Sequence, residues 1–271
     1  MVLKSPTMMP KTTDGSVRRS SSGISYFEAF GIIVVTIALT YLAYAKVLGP
    51  RHYFYSLPAL RELEGLNKFD LGERSSRNFE ELIVRDVFND RRDGTFLDVG
   101  ANHYRNESNT YYLETSLGWS GIAVDALEEF AADYKAHRPR TRFVAMFASD
   151  VPDQKVQFFV APNSLVSSVS EEFTKREGSP GNARAVPTTT LNAVLDQARI
   201  GRLDFMSMDI ELAEPKALAG VDIDRFKPEL VCIEAHLDVR QQILDYFARH
   251  GYVVLGKYLR IDPHNLYFAR L

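Results

Sequence analysis

From residue 78 onward, apolar and polar positions switch between two periods. "NFEELIVRDVF" (78–88) sets Phe79, Leu82, Ile83, Val87 and Phe88 near helical spacing, which predicts a helix with one face against a sheet. Short apolar runs follow, bounded by polar residues or glycine. They predict strands at Thr95–Val99, Gly121–Asp125, Arg142–Phe147, Leu203–Asp209, Leu230–Ala235 and Tyr252–Gly256, with a last one near Leu266–Ala269. Amphipathic stretches near 107–117, 127–137, 191–198, 213–220 and 238–250 predict helices between them. Strand–helix alternation implies an α/β layered domain with a mostly parallel sheet.

Two stretches break the alternation. Residues 154–190 carry "KVQFFVAP", a Ser-rich turn and "ARAVPTT", which predict extra antiparallel strands over one edge of the sheet. The last two apolar runs are joined by the short, helix-poor "KYLRIDPHN", which predicts a hairpin at the far edge. No repeat of 20–50 residues is present.

The N-terminal part follows another pattern. Residues 1–23 are rich in Ser, Thr, Lys and Arg without an apolar period and read as a disordered polar tail. "AFGIIVVTIALTYLAYA" (29–45) then runs without a charge, and its apolar flanks extend it across 24–48. That length suits the roughly 20 residues of a bilayer-spanning helix. Tyr26, Tyr41 and Tyr44 sit toward its ends, where interfacial aromatics concentrate. A buried core helix and a cleaved signal peptide are the alternatives. Ala43-Tyr44-Ala45 resembles a cleavage site, but the 28 preceding residues are long for a signal's charged region. The flanking charges (Lys11, Arg18 and Arg19 before; Lys46, Arg51 and Arg61 after) are nearly balanced and set no orientation. Residues 49–77 read as a polar connector, and 78–271 as the folded domain.

Composition narrows the function. Apolar residues make up 45% of the 271, enough for a sizeable core. The net charge of −3 argues against a general nucleic-acid binder. Cys232 is the only cysteine, so an intramolecular disulfide is impossible, and its apolar setting "LVCIEAH" marks it as a core residue.

In an open parallel sheet, ligands bind beyond the carboxyl ends of the strands. Those ends are polar or acidic here: Asp98-Val99-Gly100-Ala101-Asn102, Asp125-Ala126, Met146-Phe147-Ala148-Ser149-Asp150, Asp209-Ile210-Glu211 and Glu234-Ala235-His236. Asp125 ends the second strand, where a carboxylate can accept from both hydroxyls of a ribose; the bland alternative is a helix N-cap. Gly100 allows backbone to approach a ligand. Asp98 accepts from an amine or holds the turn. Asn102 and Asn109 lie near the N-terminus of the first helix after strand one, where amides can meet a carboxylate. No Gly-x-Gly-x-x-Gly turn follows strand one, which argues against a nicotinamide-dependent oxidoreductase.

"FLDVGAN", "GWSGIAVDA", "VPTTTLNAVL", "LDFMSMDIELAEPKAL" and "LVCIEAH", in that order, resemble the FkbM-type methyltransferases. "NESNTYYLETSLGW" resembles a subgroup with Ser-Asn-Thr-Tyr-Tyr in place of a second glycine. The resemblance runs from about Asn78 to Leu271. It implies a Rossmann-like seven-stranded methyltransferase sheet with an antiparallel C-terminal hairpin, and S-adenosylmethionine as cofactor. Asp98, Gly100, Ala101, Asn102, Asn109, Asp125, Ala126 and Met146 are then the expected cofactor-binding residues. It further implies methylation of an oxygen on a small molecule, sugar or glycolipid. The apolar run across 24–48 makes the lipid bilayer the expected partner of the N-terminal helix, and the net charge of −3 gives no nucleic-acid partner. His236, Asp209 and Glu211 are the expected catalytic residues, with His236 the natural base by its ordinary pKa. Its alternative is a cap at the end of strand five.

Asp209, Glu211 and Glu234 offer hard oxygen ligands. No metal is expected, however, because residues two apart on a strand point to opposite faces. The catalytic domain is expected in the cytosol, where the cofactor is made. Two positions depart from the family: Leu212 stands where glycine is usual, and Ala126 where proline is favoured. Leu212 would narrow the acceptor pocket, or mark an inactive protein acting as a membrane-associated binding or trafficking module.

Overall fold

A computed structural model of the chain describes Thr36 and residues 65–69, 75–177 and 181–270. The expected polar tail (1–23), the membrane span (24–48) and most of the connector (49–77) lie outside the described residues, Thr36 excepted. Among the described residues, no helix is long and apolar enough to cross a membrane.

The strands are β1 Thr95–Val99, β2 Ser120–Asp125, β3 Thr141–Ala145, β4 Phe147–Ala148, β5 Lys155–Val160, β6 Asn182–Thr189, β7 Phe205–Met208, β8 Leu230–Glu234, β9 Tyr252–Val254 and β10 Asn265–Arg270. The helices are α1 Glu80–Phe88, α2 Tyr111–Leu117, α3 Ala131–His137, α4 Glu171–Arg176, α5 Leu191–Gln197, α6 Glu214–Ala219, α7 Ile223–Phe226 and α8 Arg240–Arg249. Seven strands form one sheet in the order β3-β2-β1-β7-β8-β10-β9. Its first five are parallel, and β10 runs antiparallel to both β8 and β9. This is the expected sheet with its closing hairpin.

The strands are apolar almost throughout because helices cover both faces. Leu97, Val99, Met206, Met208, Val231 and Ile233 point to one face, in a core shared with α5 to α8. Phe96, Phe205, Leu230, Cys232 and Tyr267 point to the other, against Leu82 and Ile83 of α1 and Leu113 of α2. Cys232 is buried there, as expected.

The insert also forms as expected. β5 and β6 pair antiparallel, and β4 joins β6 to make a second, three-stranded sheet. The single strand expected at 142–147 is divided: a turn in which the Met146 amide donates to the Val144 carbonyl (3.1 Å) separates β3 from β4. The strand expected at 203–209 is shorter, Phe205–Met208, with the Asp209 amide making a last bond to the Val99 carbonyl of β1 (2.9 Å). The helix expected at 107–117 starts only at Tyr111, because the Ser108 hydroxyl accepts from the amides of Thr110 (3.3 Å) and Tyr111 (3.1 Å) and holds 108–110 as a turn.

Strand order reverses between β1 and β7. The chain moves from β1 outward to β2 and β3, then returns to build β7 on the other side of β1. The crevice at such a switch point is where open α/β sheets bind ligands.

Candidate active site

Two adjoining cavities open over the carboxyl ends of β1, β2, β7 and β8 and share Gly100, Asn102, Leu165, Asp209 and Glu211. All eleven residues selected from the sequence line one or both. Asp125, Ala126 and Met146 line the first; Asp98, Ala101, Asn109 and His236 the second; Gly100, Asn102, Asp209 and Glu211 both.

Gly100 has a different first reason from the one expected. Its φ is +82°, and a Cβ there would lie 1.7 Å from the Asp209 carbonyl oxygen. The glycine therefore lets the ends of β1 and β7 touch, and the cleft floor is the result. The next turn is tied to β2: the amides of Gly100 (2.8 Å) and Ala101 (3.2 Å) both donate to the Val124 carbonyl.

Asp125 holds both rims of the first cavity. Its Oδ2 accepts from the Asn102 amide (2.8 Å) and its Oδ1 from the Leu127 amide (2.9 Å). The bond to Leu127 closes a turn two residues on; Asp125 does not cap the helix that follows, whose N-cap is Phe130, and each carboxylate oxygen keeps a further acceptor site. Burial pushes the Asp125 carboxyl up to about 6, against those two amide bonds. Ala126, Leu127, Met146, Phe147 and Phe158 give this end an apolar lining.

Arg138 and Ser164 carry the site and were not singled out from the sequence. The Arg138 side chain is fully buried and pairs with Glu114 (Nε–Oε2 2.6 Å), which also accepts from Thr141. Its other nitrogens reach the Tyr104 carbonyl (2.9 Å) and Thr110 Oγ1 (3.1 Å), and Thr110 donates to Asp98 Oδ2 (2.8 Å). Burial raises the Asp98 carboxyl to about 6, with Thr110 and Arg138 opposing. Ser108 and Thr110 of the Ser-Asn-Thr-Tyr-Tyr segment therefore serve this network, and only Asn109 of the three faces the cleft, with Nδ2 donating to Ser207 Oγ (3.0 Å). Ser164, in the Ser-rich turn of the insert, accepts from Asn102 Nδ2 (3.1 Å) and brings the insert over the cleft. No spacing in the sequence announces Arg138 or Ser164, since their partners are 24 and 62 residues away.

The second cavity, about 260 Å³, is polar. β7 has ended before Asp209, so the expected obstacle to joining Asp209 and Glu211 is absent, and both face this cavity. His236 Nε2 lies 3.0 Å from Glu211 Oε2 and 2.9 Å from Glu234 Oε2. Those two carboxylates, Glu211 first, outweigh partial burial and push the imidazole up to about 10. Both carboxylates thus stand at Nε2, the nitrogen that a base facing the cavity would use. Asp209 is exposed where the two cavities meet. Crowding by protein atoms first, then the Glu234 and Glu211 carboxylates, raise its carboxyl above the carboxylate range.

Leu212 does not narrow either cavity. It keeps a left-handed φ of +77°, a conformation suited to glycine, and packs its side chain against the core that holds Leu97 and Met208.

Residues 98–254 match the model of the methyltransferase FkbM domain, more than half of the chain. The chain belongs to the FkbM methyltransferase family. No curated protein matches its sequence. Among solved structures, it is similar to a precorrin-6y C5,15-methyltransferase from Geobacter metallireducens (12% identity, 74% of this chain and 92% of that one, TM-score 0.41). It is also similar to an O-methyltransferase from Bacillus cereus in complex with SAH (11%, 84% and 93%, 0.40). A third is 1,6-didemethyltoxoflavin-N1-methyltransferase from Burkholderia thailandensis (12%, 91% and 90%, 0.34). The fold assignment stands on the strand order and the family match.

S-adenosylmethionine is the cofactor of this FkbM methyltransferase. The cleft fits it: an apolar lining for a planar base, the Asp125 carboxylate with spare acceptor sites for a diol, and Asp98, Asn102 and Asn109 toward the polar end.

Proposed function

We propose that this FkbM methyltransferase methylates a hydroxyl of a small molecule, sugar or glycolipid at a membrane surface, with residues 24–48 as a single-pass anchor and the catalytic domain in the cytosol. One observation carries the reading of the acceptor: the polar cavity adjoining the Asp125 end is lined by Asp209, Glu211, Glu234 and His236, acid–base groups suited to an O–H acceptor. The cofactor supplies an electrophilic sulfonium methyl when bound. Asp125 would hold the ribose, and Asn102 and Asn109 the polar end. Asp209, exposed where the two cavities meet, is placed to take the hydroxyl proton as a carboxylate, while His236 keeps Glu211 and Glu234 in place. Holding acceptor and methyl in line then accounts for much of the rate. The uncharged run 29–45 supports the anchor. The inactive-module alternative loses its sequence support, since Leu212 has its place in the core.

The test is incubation of the full chain with labelled S-adenosylmethionine and membrane extract, followed by identification of the labelled product. An O-methylated polar product, lost in Asp209→Asn, is expected. Label on nitrogen or carbon, or undiminished transfer by Asp209→Asn, would refute the acceptor assignment. The anchor predicts a chain that stays in the pellet after alkaline carbonate extraction; a mature N-terminus at Lys46 would overturn it. Asn106-Glu107-Ser108 is a glycosylation acceptor with Asn106 exposed, so glycan there in a eukaryotic host would overturn the cytosolic placement.

A further inference from the structure

Glu211, Glu234 and His236 come from two separate turns, one after β7 and one at the end of β8, and their ligand atoms all lie within 4.8 Å of one another. One hydrogen on His236 Nε2 faces two carboxylate oxygens and serves only one. It is engaged with Glu211 Oε2, which leaves the buried Glu234 Oε2, 2.9 Å from the same nitrogen, without a hydrogen of its own, although the Glu234 carboxyl also meets that of Asp209. A buried carboxylate oxygen left so is costly unless something else meets it.

A second unmatched oxygen lies in the same acidic group. Glu214 is fully buried; its Oε1 accepts from the Ile210 amide (3.0 Å), between Asp209 and Glu211, and its Oε2 has no partner. Glu214 acts electrostatically on Asp209, and Glu211 and Glu234 act on Glu214. Two acids thus meet one imidazole and two more lie beside them, with two oxygens unmatched.

The spacing suits a cation. Metal–ligand bonds of roughly 2.1 Å in octahedral geometry place neighbouring ligand atoms about 3.0 Å apart. The two Nε2–oxygen separations, 2.9 and 3.0 Å, are close to that value. With a cation between them, Nε2 gives its lone pair, both carboxylates gain a partner, and the remaining positions open into the polar cavity.

We propose that Glu211, Glu234 and His236 form a divalent-cation site in the acceptor cavity, with Asp209 and Glu214 as supporting acids. The mixed nitrogen and oxygen donors favour a first-row cation such as Mn²⁺ or Zn²⁺. The cation would hold the acceptor by its oxygens beside the methyl donor. This placement deepens the methyl-transfer reading and rests on it; binding of the cation itself does not.

The test uses the full chain in detergent, titrated separately with Mn²⁺, with Zn²⁺ and with S-adenosylmethionine. One saturable equivalent of cation is expected, and pulsed electron paramagnetic resonance of the Mn²⁺ sample should show coupling to one imidazole nitrogen, lost in His236→Ala. Glu234→Gln and Glu211→Gln should each weaken binding by more than about tenfold, since losing even an outer partner of a metal ligand costs about 10- to 100-fold. A thermal melt of every variant establishes folding. A folded chain that binds neither cation saturably, or unchanged affinity in both glutamine variants, overturns the site. S-adenosylmethionine binding without cation binding rejects the cation site alone. Cation binding without S-adenosylmethionine binding rejects the methyl-transfer reading alone.

Discussion

Replacing Gly100 with alanine separates two reasons for a glycine at the end of β1. If it served only the approach of a ligand, the ligand-free protein would pay just for a left-handed alanine, about 1–2 kcal/mol. The structure requires more. The new Cβ would lie 1.7 Å from the Asp209 carbonyl oxygen and 2.7 Å from its carbon, so two backbone segments must part. Overpacking of that kind adds about 1–3 kcal/mol, for a total of about 2–5 kcal/mol. In a domain of this size each kcal/mol lowers the melting temperature by about 2–4 °C, so a loss of roughly 5–20 °C is expected. Gly251 is the control: its φ is +73°, and nothing lies within 4 Å of a Cβ built there. Gly251→Ala should therefore show only the left-handed cost. The assay is denaturant and thermal unfolding of both variants without cofactor. Equal losses would show that the β1–β7 contact does not require the glycine. Cofactor titration of Gly100→Ala should also show weakened binding, because the seam that opens is the floor of both cavities.

Arg138→Met removes the cation from a buried pair and should cost about 3–5 kcal/mol in unfolding measurements; Arg138→Met with Glu114→Leu should recover most of it. A single-variant loss under about 1 kcal/mol would refute the network's role. Asp125→Ala should weaken S-adenosylmethionine binding by roughly 10- to 150-fold in calorimetry, from charge-assisted bonds worth about 1.5–3 kcal/mol. Its pH dependence has a definite sign. The carboxylate is the better acceptor, and burial puts its pKa at about 6, so affinity should be level above neutrality and fall as pH drops through about 6. Asp125→Asn should abolish that limb, and its persistence there would assign the titration to another group, Asp98 first.

Period and punctuation in the sequence determined the layers. Strands covered on both faces need apolar residues at nearly every position, so β1, β2, β7 and β8 were legible to within about two residues at each end. The hairpin formed by β9 and β10 was legible from the short link between them. Because ligands collect at the carboxyl ends of parallel strands, the polar residues closing those runs marked the cleft, and all eleven line it. What those side chains do was decided by tertiary structure. Nothing local in the sequence tells that the Asp209 carbonyl lies where a Gly100 Cβ would go, because the two meet only when β1 and β7 pair. The same holds for Arg138, which reaches Glu114 and Thr110 only after α3 packs beside the loop following β1. His236 looks like a base from its intrinsic pKa, yet Glu211 and Glu234, from separate elements, converge on its Nε2 and raise its proton affinity. Local pattern sets where a side chain stands along the chain; proton affinity depends on the charges and burial around it, and those are assembled only by the fold.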